Sequence, residues 1–338
     1  MKNMANLLDL KNLSKHKIST SLRSKSILIF GSPKIGKSTF AAGADKVLFF
    51  NFEDGTEFLP LDTEPIPIQK WTELKAYVKQ LREPEIQQMY HTIVIDTVTI
   101  AAQLCEQYIC LQNGVTHIRD IPWGQGFSMP ATEFFNVFHE ISMLGYGIIF
   151  LAHTKTQNSE YVDEKGEYIQ QVTADVDKRI FSVLNGMCDI IAYAEKQYDP
   201  QTKTMQRVLY TDADAPDKVT GGRCAQFFPK VIPLSYKVFE EELEKAVKKI
   251  AETTHSELQD VNMAVRKQQK NFDDTLAEAR TLWVNYLGAV STDEEKEQRL
   301  VVLQDIVKKI FGKPIKLSSV APSQQELLEL VITEFKNL

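Results

Sequence analysis

Five short apolar runs organise the first two thirds of the chain: SILIF (26–30), KVLFFNF (46–52), HTIVID (91–96), GIIFLAH (147–153) and DIIAYAEK (189–196). They are rich in Ile, Val and Phe, and turn or charged residues bound them. Runs this short with little alternation suit strands buried on both faces. Between them, apolar positions recur at helical spacing over 37–44, 70–82, 97–112, 130–144 and 177–187. Strands alternating with helices predict an α/β fold with a mainly parallel sheet flanked by helices.

The pattern then changes twice. SEYVDEKGEYIQQV (159–172) and RVLYTDADAPDKVTGGR (207–223) are polar, punctuated by Gly or Pro, and predict hairpins. After Pro233 the chain becomes rich in Glu, Lys and Gln. Over 236–287 it predicts a long helical arm, with Val238, Leu243, Val247 and Ile250 on an apolar stripe. Residues 292–338 predict two or three short helices, with Ser323 as an N-cap and Glu326 three residues on. The expected organisation is an N-terminal arm (1–24), an α/β domain (25–235) and a helical C-terminal region (236–338).

Composition narrows the class. A chain of 338 residues is long enough for a large domain and a smaller one. With 43% hydrophobic and 25% charged residues it reads as soluble and globular. A net charge of -6 excludes a globally basic nucleic-acid binder but leaves room for a local basic groove. Cys105, Cys110, Cys188 and Cys224 form no CxxC pair and lack a His-rich companion. They predict reduced, half-buried thiols rather than zinc ligands or a disulfide framework. No apolar run approaches the ~20 residues that span a bilayer. The opening MKNMANLLDLKNLSKHK lacks the apolar stretch of a secretion signal, so the expected location is cytoplasmic, without membrane association.

The first strand and helix enclose the strongest chemical signal. Gly31, Ser32, Pro33, Lys34, Ile35, Gly36, Lys37 and Ser38 satisfy GxxxxGK[ST] in full, and Thr39 continues into the helix. The glycines let the backbone wrap phosphate oxygens, which meet the amides and the positive end of the helix. Lys37 neutralises the β- and γ-phosphates, and Ser38 is placed to hold Mg²⁺. ATP and Mg²⁺ are therefore the expected ligands. Asp96, ending TIVID, is the candidate second metal anchor; the alternative is a helix-capping aspartate. Thr97 follows it where many P-loop ATPases carry a glutamate, so the general base must come from elsewhere. Glu53, closing the second strand, is the candidate to activate water, with Asp54 and Glu57 as competitors. His153, directly after the fourth strand, is the candidate γ-phosphate sensor, against a purely structural histidine.

This set resembles the RecA-like ATPase core. FEDGTEFL, IRDIPWGQGF (118–127) and LAHTKTQNSEYVDEKGEYIQQV also resemble the phage-encoded RecA-core nucleotide-binding proteins, including the Sak-type single-strand annealing ATPases. The resemblance covers about residues 24–230. It implies a homo-oligomeric ring or filament with nucleotide at the subunit interface and single-stranded DNA along the axis. The DNA loops would be 120–128, with Trp123, Gly124, Gly126 and Phe127, and 154–175, with Lys155, Tyr161, Lys165 and Tyr168. Glu160, Asp163, Glu164 and Glu167 weaken that assignment for the second loop. A neighbouring subunit would donate a cationic finger, from Lys178, Arg179, Arg207, Lys218 or Arg223. Lys218 and Arg223 are favoured because Gly221-Gly222 eases close approach.

The expected function is a Mg²⁺-dependent, DNA-stimulated ATPase in phage recombination or strand annealing. Its rivals are a replication-associated helicase or helicase loader, and a nucleotide-gated protein-binding scaffold. The region beyond 235 is either an arm packed on its own core or a docking module for DNA, a single-strand-binding protein or a neighbouring subunit.

Overall fold

A computed structural model describes residues 17–23, 25–53, 55–259, 272–290 and 292–338. The chain divides into two compact units, His16–Arg266 and a C-terminal unit from Lys267 to Leu338.

The larger unit begins with β1 (Lys17–Ser19), β2 (Ser26–Gly31), α1 (Lys37–Ala41), β3 (Val47–Asn51) and β4 (Ile66–Pro67). Next come α2 (Trp71–Gln80), α3 (Pro84–Met89), β5 (Thr92–Asp96), α4 (Val98–Gln112) and α5 (Met129–Met143). Then follow β6 (Gly147–Ala152), β7 (Thr154–Val162), β8 (Tyr168–Ala174), α6 (Lys178–Met187), β9 (Ile190–Asp199) and β10 (Thr204–Tyr210). β11 (Gly221–Gly222), β12 (Val231–Pro233), α7 (Tyr236–Thr254) and β13 (Glu257–Gln259) complete it.

The central sheet runs β12-β10-β9-β2-β6-β5-β3-β4, with β11 on β9. From β9 to β4 every pairing is parallel; β10, β11 and β12 add antiparallel edges. The predicted α/β fold is therefore the observed one. β2, β5 and β6 are buried at every position, as their unbroken apolar runs require. Leu28 and Phe30 join the core under α2, α4, α5 and α6, whereas Ile27 and Ile29 face α1 and α7.

The boundary expected near 235 falls inside this unit. Tyr236, Phe239, Leu243 and Val247 bury the stripe of α7 against Phe40 and the second face of the sheet. The long helix expected over 236–287 stops at Thr254, because His255 turns left-handed at φ 51°. β13 then pairs in parallel with β1, so residues 17–19 are part of a sheet and not of a free arm. Residues 1–16 lie outside the described residues.

The expected 207–223 hairpin is also redrawn. β10 pairs antiparallel with β9 on one side and β12 on the other, and its hairpin is with β9. Asp199 makes the turn between them, its carboxylate accepting from Gln201 N at 2.8 Å and Thr202 Oγ1 at 2.8 Å. Gly221-Gly222 instead lies flat on β9, where a Cβ on Gly222 would stand 2.7 Å from Asp189 O. The other expected hairpin exists and is longer, formed by β7 and β8. All four cysteines are buried, not half-buried.

The C-terminal unit contains α8 (Phe272–Gly288), α9 (Asp293–Phe311) and α10 (Gln325–Lys336). Leu303, Val307, Leu328, Val331, Ile332 and Phe335 supply its buried apolar positions. Ser323 does not cap α10. Pro322 first opens a short 3₁₀ turn, and Gln324 Oε1 accepts from Ala321 N at 3.1 Å.

Candidate functional site

The parallel strands align their carboxyl ends in one row: Asn51 of β3, Asp96 of β5 and Leu151 of β6 stand opposite one another. β6 lies between β5 and the P-loop strand β2. The loop after β2 packs closely on β9, since a Cβ on Gly31 would stand 2.6 Å from Ala194 O. Gly36 has φ 113°, a left-handed value that favours glycine. Lys37 is buried and donates through Nζ to Gly31 O at 2.8 Å and Ser32 O at 3.1 Å. Burial depresses its pKa, while Asp96 and Glu53 nearby oppose that shift.

Ser38 Oγ donates to Asp96 Oδ2 at 2.6 Å. Burial pushes the Asp96 carboxyl above its ordinary pKa, against the pull of the Ser38 hydroxyl. A hydroxyl and a carboxylate converging beside the P-loop fit Mg²⁺. That ion takes few protein oxygens and keeps the rest of its shell for water and phosphate. Asp96 is not the side-chain N-cap of α4, whose cap residue is Thr97.

Glu53 and His153 each lie two residues beyond the aligned row, on either side of β5. Their side chains meet there: His153 Nε2 lies 2.9 Å from Glu53 Oε1 and 3.0 Å from Oε2. An ionised carboxylate only accepts, so with Glu53 ionised Nε2 is the donor of this contact. Thr97 Oγ1 also donates to Glu53 Oε1, at 2.5 Å. The residue after Asp96 thus orients the carboxylate brought by the neighbouring strand. Thr99 Oγ1 accepts from the His153 backbone N–H at 3.2 Å. The roles of Thr97 and Thr99 are not legible along the chain, because their partners follow β3 and β6. Glu57 is exposed, and Asp54 lies outside the described residues.

The two residues favoured as fingers for a neighbouring subunit have partners within their own chain. Lys218 pairs with Asp217 at 2.5 Å and rests over the Tyr210 ring. Arg223 binds Asp189 Oδ1 at 2.9 Å, and the same carboxylate accepts from Ser26 N at the start of β2. That is the amino end of the sheet, opposite the P-loop. Arg179 stacks over Phe127 and lies 3.7 Å from Asp177 Oδ1.

The 118–127 loop forms two 3₁₀ turns. Trp123 sits at φ 63° with 94% of its surface exposed, and Phe127 is 41% exposed. Gly126 is required beneath them, because a Cβ there would stand 1.9 Å from Ile118 O. Phe127, Lys155, Arg179 and Thr99 line one shallow pocket beside the β7–β8 hairpin.

A P-loop, a carboxylate bonded to its serine and a second carboxylate held beside it, all at the carboxyl edge of a parallel sheet, define the P-loop nucleoside-triphosphatase class. In agreement, a family model described as an AAA domain matches residues 23–223, and the chain belongs to that family. Over 337 residues it is 24% identical to the SPbeta prophage-derived uncharacterized protein YorG of Bacillus subtilis (strain 168), covering 98% of each chain. Among the described residues no helix is long and apolar enough to cross a membrane.

Proposed function

We propose that this protein is a Mg²⁺-dependent ATPase coupled to single-stranded DNA, acting in phage recombination or strand annealing like the Sak-type RecA-core ATPases. One observation carries the reading. The carboxylate placed to activate water, Glu53, is bonded to His153, the residue that joins β6 to the β7–β8 hairpin. A ligand that moves the hairpin root therefore moves the partner of the hydrolytic carboxylate.

The ligand class follows from the neighbouring surface. Trp123 and Phe127 offer exposed aromatic faces, and beside Phe127 lie Lys155 and Arg179, paired with Asp175 and Asp177, whose carboxylates a phosphate backbone would have to displace. Stacking plus phosphate attraction holds single strands without reading sequence. Tyr161 and Tyr168 extend the exposed aromatics along the hairpin. The prophage origin of the full-length relative agrees with a phage role in the host cytoplasm.

In this scheme the P-loop and Lys37 bind the phosphate chain. Ser38 and Asp96 would hold Mg²⁺, which when bound would neutralise charge developing on the phosphates. Glu53 orients and polarises the attacking water, and His153 with Thr97 sets its position. Assembly into a ring or filament would bring in a neighbour's finger, and a single-strand-binding protein is a natural further partner on the same DNA.

The test is ATP turnover with and without single-stranded DNA, with Lys37→Ala as the blank. Stimulation lost in the blank supports the reading. Unchanged turnover with ATP still bound would overturn DNA coupling and favour a nucleotide-gated scaffold for a protein partner.

A further inference from the structure

The P-loop has a second cationic wall that comes from the antiparallel edge of the sheet. Arg207 of β10 and Lys196 of β9 stand directly opposite each other in the ladder. Like charges at such a pair repel, which disfavours the sheet unless an anion lies against them. Both side chains are exposed, and among the described residues neither has an ion-pair or side-chain hydrogen-bond partner. Their face is the one that holds the P-loop. Ala192 and Ala194 precede Lys196 on it, and Leu209 follows Arg207 on it, all packed in the core around α1.

Arg207 reaches the loop itself. A Cβ built on Gly36 would stand 3.3 Å from its Nη1 and 3.9 Å from its Cδ, with Leu234 Cδ2 at 3.5 Å. The guanidinium therefore lies against the second glycine of the P-loop in the same subunit. Lys196 sits two residues beyond Ala194, whose carbonyl abuts Gly31.

The geometry points to Lys196 and Arg207 as an anion subsite of this subunit's own nucleotide site, gripping the α- and β-phosphates of a bound nucleoside di- or triphosphate. The sheet order decides which end of the nucleotide they meet. Asp96 and Glu53 approach the P-loop from the β5 and β3 side, where the γ-phosphate must lie to be attacked. β9 and β10 lie on the other side of β2. Cations there touch groups common to ADP and ATP, so they strengthen binding of both without favouring the transition state. Arg207 thus departs from a finger donated to a neighbour, which acts on the γ-phosphate. The inference rests on nucleotide binding at the P-loop, and its test separates the two.

The experiment titrates Mg·ADP and Mg·ATP calorimetrically into the full chain and into Arg207→Ala, Lys196→Ala and Arg207→Lys, alongside steady-state turnover. Loss of a charge-assisted contact should weaken ADP and ATP by the same factor, about tenfold for Arg207→Ala. A smaller loss is expected for Lys196→Ala, and partial retention for Arg207→Lys. KM should rise with kcat unchanged. Unchanged ADP affinity in Arg207→Ala would overturn the subsite, and a fall in kcat alone would make Arg207 a finger instead. Failure of the unsubstituted chain to bind either nucleotide would overturn the underlying reading first. Both side chains are exposed and each alanine relieves their mutual repulsion, so melting temperatures without nucleotide should match or exceed the parent's, which excludes misfolding.

Discussion

Glu53 and His153 are separated by 100 positions in the chain, yet His153 Nε2 lies within 3.0 Å of both Glu53 carboxylate oxygens. The parallel register of β3, β5 and β6 makes this contact, because both residues stand the same distance past one aligned row. If Glu53 activates water, Glu53→Gln should bind ATP normally and lose turnover by about 10²- to 10⁴-fold. Turnover near the parent value would remove Glu53 from that role. His153→Ala should retain nucleotide affinity and lose the response of turnover to DNA.

Burial raises the pKa of the Asp96 carboxyl, so its surroundings disfavour the charged form. In the absence of nucleotide, Asp96→Asn should leave the melting temperature unchanged or raise it. With ATP, the additional stabilisation that Mg²⁺ confers over EDTA should vanish in the variant. A variant that keeps the full Mg²⁺-dependent rise would show that the metal is held elsewhere.

Trp123 is almost wholly exposed, so Trp123→Ala should leave stability within the range of ordinary surface substitutions. Single-stranded DNA affinity should weaken by about 1–3 kcal/mol, the worth of one stacked base. Fluorescence anisotropy on an oligonucleotide measures it, and unaltered affinity would take the loop out of the DNA path.

α7 belongs to the ATPase unit. Truncation after 235 should therefore give an unstable or insoluble product, whereas ending the chain after Arg266 retains the whole larger unit. Phe239 is fully buried against Phe40 and Phe228. Phe239→Ala should cost about 3–5 kcal/mol in chemical unfolding. A soluble, ATP-hydrolysing 1–235 fragment would contradict this assignment.

Alkaline pH should loosen the fold through its buried acids. Burial pushes the Cys224 thiol from 9.0 up to about 11. Between those values the unfolded chain has released its proton while the native state still holds it. Native stability therefore falls as pH rises from 9 to 11, and is fully retained below 9. Burial shifts Tyr146 and Tyr236 in the same direction. Urea midpoints across that range should decline, with a shallower slope in Cys224→Ala. For the same reason Cys224 should resist alkylation at pH 8 until the protein unfolds.

The amino-acid sequence by itself determined the five central strands, the helices between them and the P-loop. These signals are local: apolar runs of strand length, helical spacing, and a loop motif whose residues are contiguous. That Asp96 at a strand end and Glu53 just past one come to the same edge was legible from the apolar runs before them, because in a parallel sheet those ends gather on one edge. Only the tertiary structure decided what those ends touch. Thr97 orients Glu53 because β3 lies beside β5, and Arg207 reaches Gly36 because an antiparallel edge folds beyond β9. The same non-local pairing drew Arg223 to Asp189 at the far end of the sheet and fastened α7 to Phe40. Polarity and turn punctuation report how a segment ends. Which strand it lies beside depends on burial and register summed over the whole sheet, and no single stretch of the chain carries that information.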